Sequence, residues 1–83
     1  MMLPSEPYRT KDLAEAASLY AVGQQLRGLE QNESGKGVFF IFTNATACKE
    51  VSRQFWSGEL VLSARKLTTC LRELKDLIFA QGR

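Results

Sequence analysis

The chain predicts an α+β domain, in the order helix, β-hairpin and two C-terminal helices (αββαα), extended by a short N-terminal edge strand. Three observations predict it. Apolar residues recur at helical spacing in three separate stretches, near 11–24, 46–56 and 63–79. Between the first two, VFFIFT follows the glycine-bearing segment NESGKG, as the second strand of a hairpin would. Helices and strands also come in runs instead of alternating, which argues against parallel βαβ units.

Pro4 and Pro7 exclude a helix at the start, while Tyr8 and Arg9 suit a short edge strand. Thr10 then reads as an N-cap, with Asp12 in the first turn at the positive end of the helix dipole. On a helical wheel Leu13, Ala16, Ala17 and Tyr20 share one arc that faces the core, with Lys11, Glu15 and Ser18 opposite. Leu19 and Val22 fall outside that arc, so this helix has apolar groups on two sides. Gly23 or Gly28 ends it.

The hairpin spans 26–43, with its turn at Ser34-Gly35-Lys36-Gly37. That turn has the look of a phosphate loop but lacks the Gly-x-x-x-x-Gly-Lys-Ser/Thr pattern and leads into a strand instead of a helix. In the second strand Val38, Phe40 and Phe42 point to one face and Phe39 and Ile41 to the other. A layer of helices covers only one face, so the expected cover for the other is the leading strand together with a second subunit.

Asn44 or Thr46 caps the second helix, whose arc is Ala47, Cys48, Val51 and Phe55, and Gly58 is a left-handed stop. Ser63 caps the third, where Leu67, Cys70, Leu71, Leu74, Leu77 and Ile78 form one stripe. Phe40, Val51, Phe55, Leu67, Leu71 and Leu74 are the expected core.

With 83 residues the chain holds one domain, 1–83, with an ordered part of about 8–79. Its composition, 45% hydrophobic and 24% charged, is that of a folding chain. It has no histidine, and Cys48 and Cys70 are far apart without a Cys-x-x-Cys pair, so no metal site and no cofactor is expected. Each cysteine lies on an apolar stripe, where a thiol is a small hydrophobe; a disulfide between the two helices is the alternative. There is neither an export signal nor a membrane-spanning run, so a cytoplasmic protein with reduced thiols is expected, and the glycosylation patterns at Asn32 and Asn44 carry no meaning there. With no histidine, two aspartates and scattered glutamates, the chain does not read as an enzyme.

Trp56 is harder to place. If the second helix keeps its pitch, Trp56 is exposed beside Lys49, Ser52 and Arg53, a stacking surface among cations. In the reading preferred from sequence, the helix ends near Phe55 and Trp56 folds back onto the third helix. The third helix adds Arg65, Arg72 and Lys75 along one flank, a charged face of the kind that is usually only solvated. The connection 57–62 is too long and apolar for a helix-turn-helix.

Tyr8-Arg9-Thr10-Lys11-Asp12-Leu13, Ala16-Ala17, Phe40-Ile41-Phe42, Phe55-Trp56-Ser57-Gly58-Glu59 and Arg72-Glu73-Leu74-Lys75 together resemble a family of short bacterial and viral domains of unknown function. That family has aromatic-x-Thr-x-Asp-Leu-x-x-Ala-Ala near its start and aromatic-Trp-x-Gly later. The resemblance spans 8–78, and it implies no activity and no binding residues.

Two functions are therefore expected in turn. The first is a non-catalytic protein-interaction module, homodimeric through Phe39 and Ile41 or through Leu19 and Val22. The alternative is a nucleic-acid-binding domain in which Lys49, Arg53 and Trp56 converge with Arg65, Arg72 and Lys75 if the last two helices pack side by side.

Overall fold

The computed structural model of the chain describes residues 6–31 and 37–81. Its elements are β1 (Tyr8–Thr10), α1 (Leu13–Ala21), β2 (Leu26–Gln31), β3 (Val38–Phe42), α2 (Ala45–Ser57) and α3 (Ala64–Gln81). This is the predicted α+β order with the leading strand present. The residues of the expected turn, Ser34 to Lys36, lie outside the described residues.

The most apolar strand, β3, takes the centre of an antiparallel sheet ordered β1-β3-β2. Tyr8, Arg9 and Thr10 oppose Phe42, Ile41 and Phe40 on one side of β3, and Leu26, Gly28, Leu29, Glu30 and Gln31 oppose Phe42 to Val38 on the other. The register slips between Leu26 and Gly28, so Arg27 is the extra residue of a β-bulge. Alternation along β3 sends Phe40 (1% exposed) and Phe42 (0%) into the core with Ala16, Ala17, Leu19, Ala21, Cys48, Cys70 and Leu74. The shortest extent of the molecule is 19 Å, the thickness of a sheet with one layer of helices.

Local signals account for the helix ends. Asn44 Oδ1 accepts from Ala47 N at 3.1 Å, Ser63 Oγ accepts from Lys66 N at 3.3 Å, and Gly58 closes α2 in the left-handed conformation at φ 82°. At α1 the cap differs from expectation. Asp12 is the N-cap, accepting from Glu15 N at 2.8 Å, and Thr10 ends β1 instead. The helix is correspondingly shorter than 11–24, and the chain leaves it through Gly23 at φ 102°.

The wheel reading of α1 also needs correction. This helix contacts α2, α3 and β1, so it is buried nearly all round. Leu19, assigned from sequence to a dimer interface, is 0% exposed within the single chain. Glu15 and Ser18, assigned to solvent, are buried as well. The alanines at 16, 17 and 21 let neighbouring elements approach closely, because helix separation follows side-chain size at the contact. Of the expected core, Phe40 and Leu74 are fully buried. Val51, Phe55, Leu67 and Leu71 are only half-buried, since α2 and α3 lie on the outside of α1.

Candidate interaction surfaces

Three regions carry the side chains that packing does not explain: the end of α2, the uncovered sheet face, and a buried polar cluster joining β1, α1 and α2.

At the first, α2 runs through Ser57 before Gly58 turns the chain, so the turn comes after Trp56 and not before it. Trp56 is 63% exposed and does not fold back onto α3, which overturns the reading preferred from sequence. Its ring meets Phe55 edge-on, with centroids 4.8 Å apart. Val61, in the following connection, is 89% exposed. The neighbouring cation is already occupied. Arg53 binds Glu50 at 2.8 Å and Glu59 at 3.2 Å, and those carboxylates push its pKa up while Arg53 holds the Glu50 carboxyl below its usual range. Arg53 is therefore ion-paired at both ends of its guanidinium, through exposed pairs.

Lys49, Arg65, Arg72 and Lys75 are all exposed. Both C-terminal helices pack on α1 and scarcely touch each other, so the side-by-side packing that would merge the cations of α2 and α3 is not present. Arg65, Arg72 and Lys75 share a flank of α3, and Lys49, Arg53 and Trp56 belong to α2.

On the uncovered sheet face, Phe39 and Ile41 are the apolar residues the sequence leaves open. They are not bare. Arg9 on β1 reaches across β3 to Glu30 on β2 at 3.4 Å, and the Lys11 ammonium lies 5.8 Å from the centre of the Phe39 ring. Long charged side chains lay their apolar stems on such a face while their heads stay in water. Ile41 is consequently 8% exposed and Phe39 half-buried. Because Gly28 opposite Ile41 has no side chain, a shallow hollow of about 340 Å³ opens there, lined by Pro7, Arg9, Arg27, Leu29 and Glu30 as well. Sequence reasoning missed Arg9, Lys11 and Arg27 as a group, since their meeting depends on strand order.

It also missed the polar cluster. Glu15 is 4% exposed and accepts from Tyr8 Oη and Thr10 Oγ1, each at 2.6 Å. The Ser52 hydroxyl is 3.1 Å from Tyr8 Oη, and because the phenol has one proton, given to the carboxylate, Ser52 donates to the phenol oxygen. Among the described residues no cation pairs with Glu15. The signal available in the sequence was the Tyr8-x-Thr10 spacing, which puts two hydroxyls on one face of a strand.

The buried ionisable groups set a pH dependence. Burial first, then the Glu15 hydrogen bond, pushes the Tyr8 phenol above 10.0, and burial followed by Glu73 does the same for Tyr20. Burial likewise raises the unbridged Cys48 and Cys70 thiols above 9.0. Each folded pKa exceeds its unfolded value, so the stability these groups contribute is complete below about pH 9 and lost as pH rises through the folded values. A urea midpoint clearly lower at about pH 10.5 than at about pH 8 is the expected result; equal midpoints would count against these burials.

Among the described residues no group of three histidine, cysteine or acidic side chains is placed to hold a metal ion, and no helix is long and apolar enough to cross a membrane. No family model, curated protein or solved structure matches the chain.

Proposed function

We propose that the protein is a non-catalytic interaction module that works as a homodimer and presents Trp56 to a protein partner. The observation that carries this reading is the exposure of Trp56 on a well-formed helix, with Val61 and Phe79 (76%) exposed as well. Leaving a large apolar side chain in water forfeits roughly 1.5–3 kcal/mol that a partner would recover. Tryptophan is also the residue most enriched among energetic centres of interfaces. The sequence-derived interface changes accordingly. Leu19 is withdrawn, Ile41 and Phe39 are covered by the chain itself, and Val22 (37% exposed) is the member still open to solvent.

Trp56→Ala tests the packing side of this reading. For an exposed tryptophan the stability change is expected to stay within about 0.5 kcal/mol, against roughly 3–5 kcal/mol for a buried one. Light scattering on size-exclusion chromatography over a hundredfold concentration range is expected to give the mass of two chains. A single-chain mass throughout would refute the homodimer.

One observation favours nucleic acid as a second reading. Among the described residues the outer sheet face carries Arg9 and Arg27 with Glu30 around the hollow at Ile41, and Lys11 over the Phe39 ring. Cations next to an aromatic suit a single strand, and the affinity would fall with a log slope of about 0.7 per phosphate neutralised. Fluorescence anisotropy with single-stranded DNA and RNA at two salt concentrations decides it: binding abolished by Arg9→Glu with Lys11→Glu supports this reading, and no binding at low salt rejects it.

A further inference from the structure

We infer that the dimer forms by antiparallel pairing of β2 with β2 of a second copy, about an axis that passes through Leu29. This rests on the homodimeric reading above and names its interface. β2 is an edge strand of six residues, and among the described residues nothing pairs with its outer side. An edge of this length is a template for another strand.

Its sequence is complementary to itself once the bulge is counted. In a two-fold antiparallel pair a residue on the axis faces its own copy, and directly opposed residues lie on the same face of the sheet. The register on β3 puts Leu26, Leu29 and Gln31 opposite Phe42, Phe40 and Val38, on the helix side. Arg27 and Gly28 together occupy the position opposite Ile41, and Glu30 lies opposite Phe39, both on the uncovered side. With Leu29 on the axis, Leu26 meets Gln31 of the second copy and the Arg27–Gly28 position meets its Glu30. Every pair then shares a face. Without the bulge Arg27 and Glu30 would fall on opposite faces, so the slip is what makes the strand match its own copy.

The charges agree with this register. Each Glu30 would stand between Arg9 of its own chain, 3.4 Å away, and Arg27 of the second copy. Opposite charges across paired strands stabilise, and like charges destabilise. Leu29, half-buried at the margin of the core, would be covered by its counterpart. The result is a six-stranded sheet with both helix layers on one face. Because α2 contacts β1, at the far edge of the sheet, Trp56 stays outside this interface.

Three full-length variants test the pairing. Arg27→Glu alone puts four like charges along the axis and is expected to weaken the dimer roughly tenfold or more. Glu30→Arg alone should do the same with the opposite sign. An equimolar mixture of the two variants places unlike charges opposite each other again, so the dimer mass should return. Leu29→Cys should yield a disulfide-linked dimer on mild oxidation, whereas Ser57→Cys on α2 should not, directly opposed Cβ atoms being about 4.5–5.5 Å apart. A wild type that stays monomeric overturns both this pairing and the homodimer. A wild-type dimer that ignores both charge reversals and leaves Leu29→Cys uncrosslinked overturns the pairing alone.

Discussion

Phe40→Ala is expected to cost about 3–5 kcal/mol, among the largest losses for a single truncation in this chain. Phe40 is 1% exposed at the middle of the central strand, opposed by Thr10 on one side and Leu29 on the other, so neither the sheet nor the helix layer can close over the space it leaves. Small domains hold only about 5–15 kcal/mol in all, so the variant should lose a large part of its urea midpoint or fail to fold at physiological temperature. Leu71→Ala provides the comparison. The helical stripe predicts a core residue there, but Leu71 is half-buried whereas Leu74, one turn on, is 0% exposed. Leu74→Ala should therefore cost about 2–5 kcal/mol and Leu71→Ala clearly less. Equal losses at the two positions would mean that α3 is rotated about its axis.

Glu15→Ala is the second large loss, of at least about 2 kcal/mol, because it strands two hydroxyls rather than because it removes a charge. Tyr8 and Thr10 each donate to this carboxylate at 2.6 Å; Thr10 is buried and Tyr8 partly so, and a buried donor without an acceptor costs about 1–3 kcal/mol. Glu15→Gln keeps one carbonyl oxygen for one of the two donors and should fall between Ala and wild type. Among the described residues no cation pairs with this carboxylate, which makes it expensive to bury, so Tyr8→Phe, Thr10→Val and Glu15→Leu made together should cost less than Glu15→Ala alone. Chemical denaturation of the three proteins would decide it. A Glu15→Ala change within about 0.5 kcal/mol would show that the cluster does not join β1 to α1.

Features with a local cause were legible in the sequence. Asn44, Ser63 and Gly58 bound their helices where the residue types predict, and the continuous apolar run of β3 marks the central strand of the sheet. Features set by three-dimensional order were not. A helical wheel presumes one buried face, and α1 is packed by three elements, so Leu19 and Glu15 were both misassigned. Thr10 satisfies the rule for an N-cap and that for the last residue of a strand; the strand wins because its hydroxyl finds Glu15. The cations of α2 and α3 could be assigned to helix flanks, but whether the flanks converge depends on which helix lies in the middle. Trp56 turned on a single detail: Glu59 N and Leu60 N both bond to Gln54 O, which holds the helical path two residues beyond Phe55.

The sheet order also has a consequence for how the chain becomes structured. Leu29 and Phe40 are close along the sequence, whereas Tyr8 finds its partner only at Phe42, on the far side of α1 and the hairpin. Pairing of distant segments pays its loop entropy before it gains any contact. Of the two pairings with β3, that of Tyr8 to Thr10 closes the longer loop, and these amides are expected to exchange sooner than those of β2, which native-state hydrogen exchange would check.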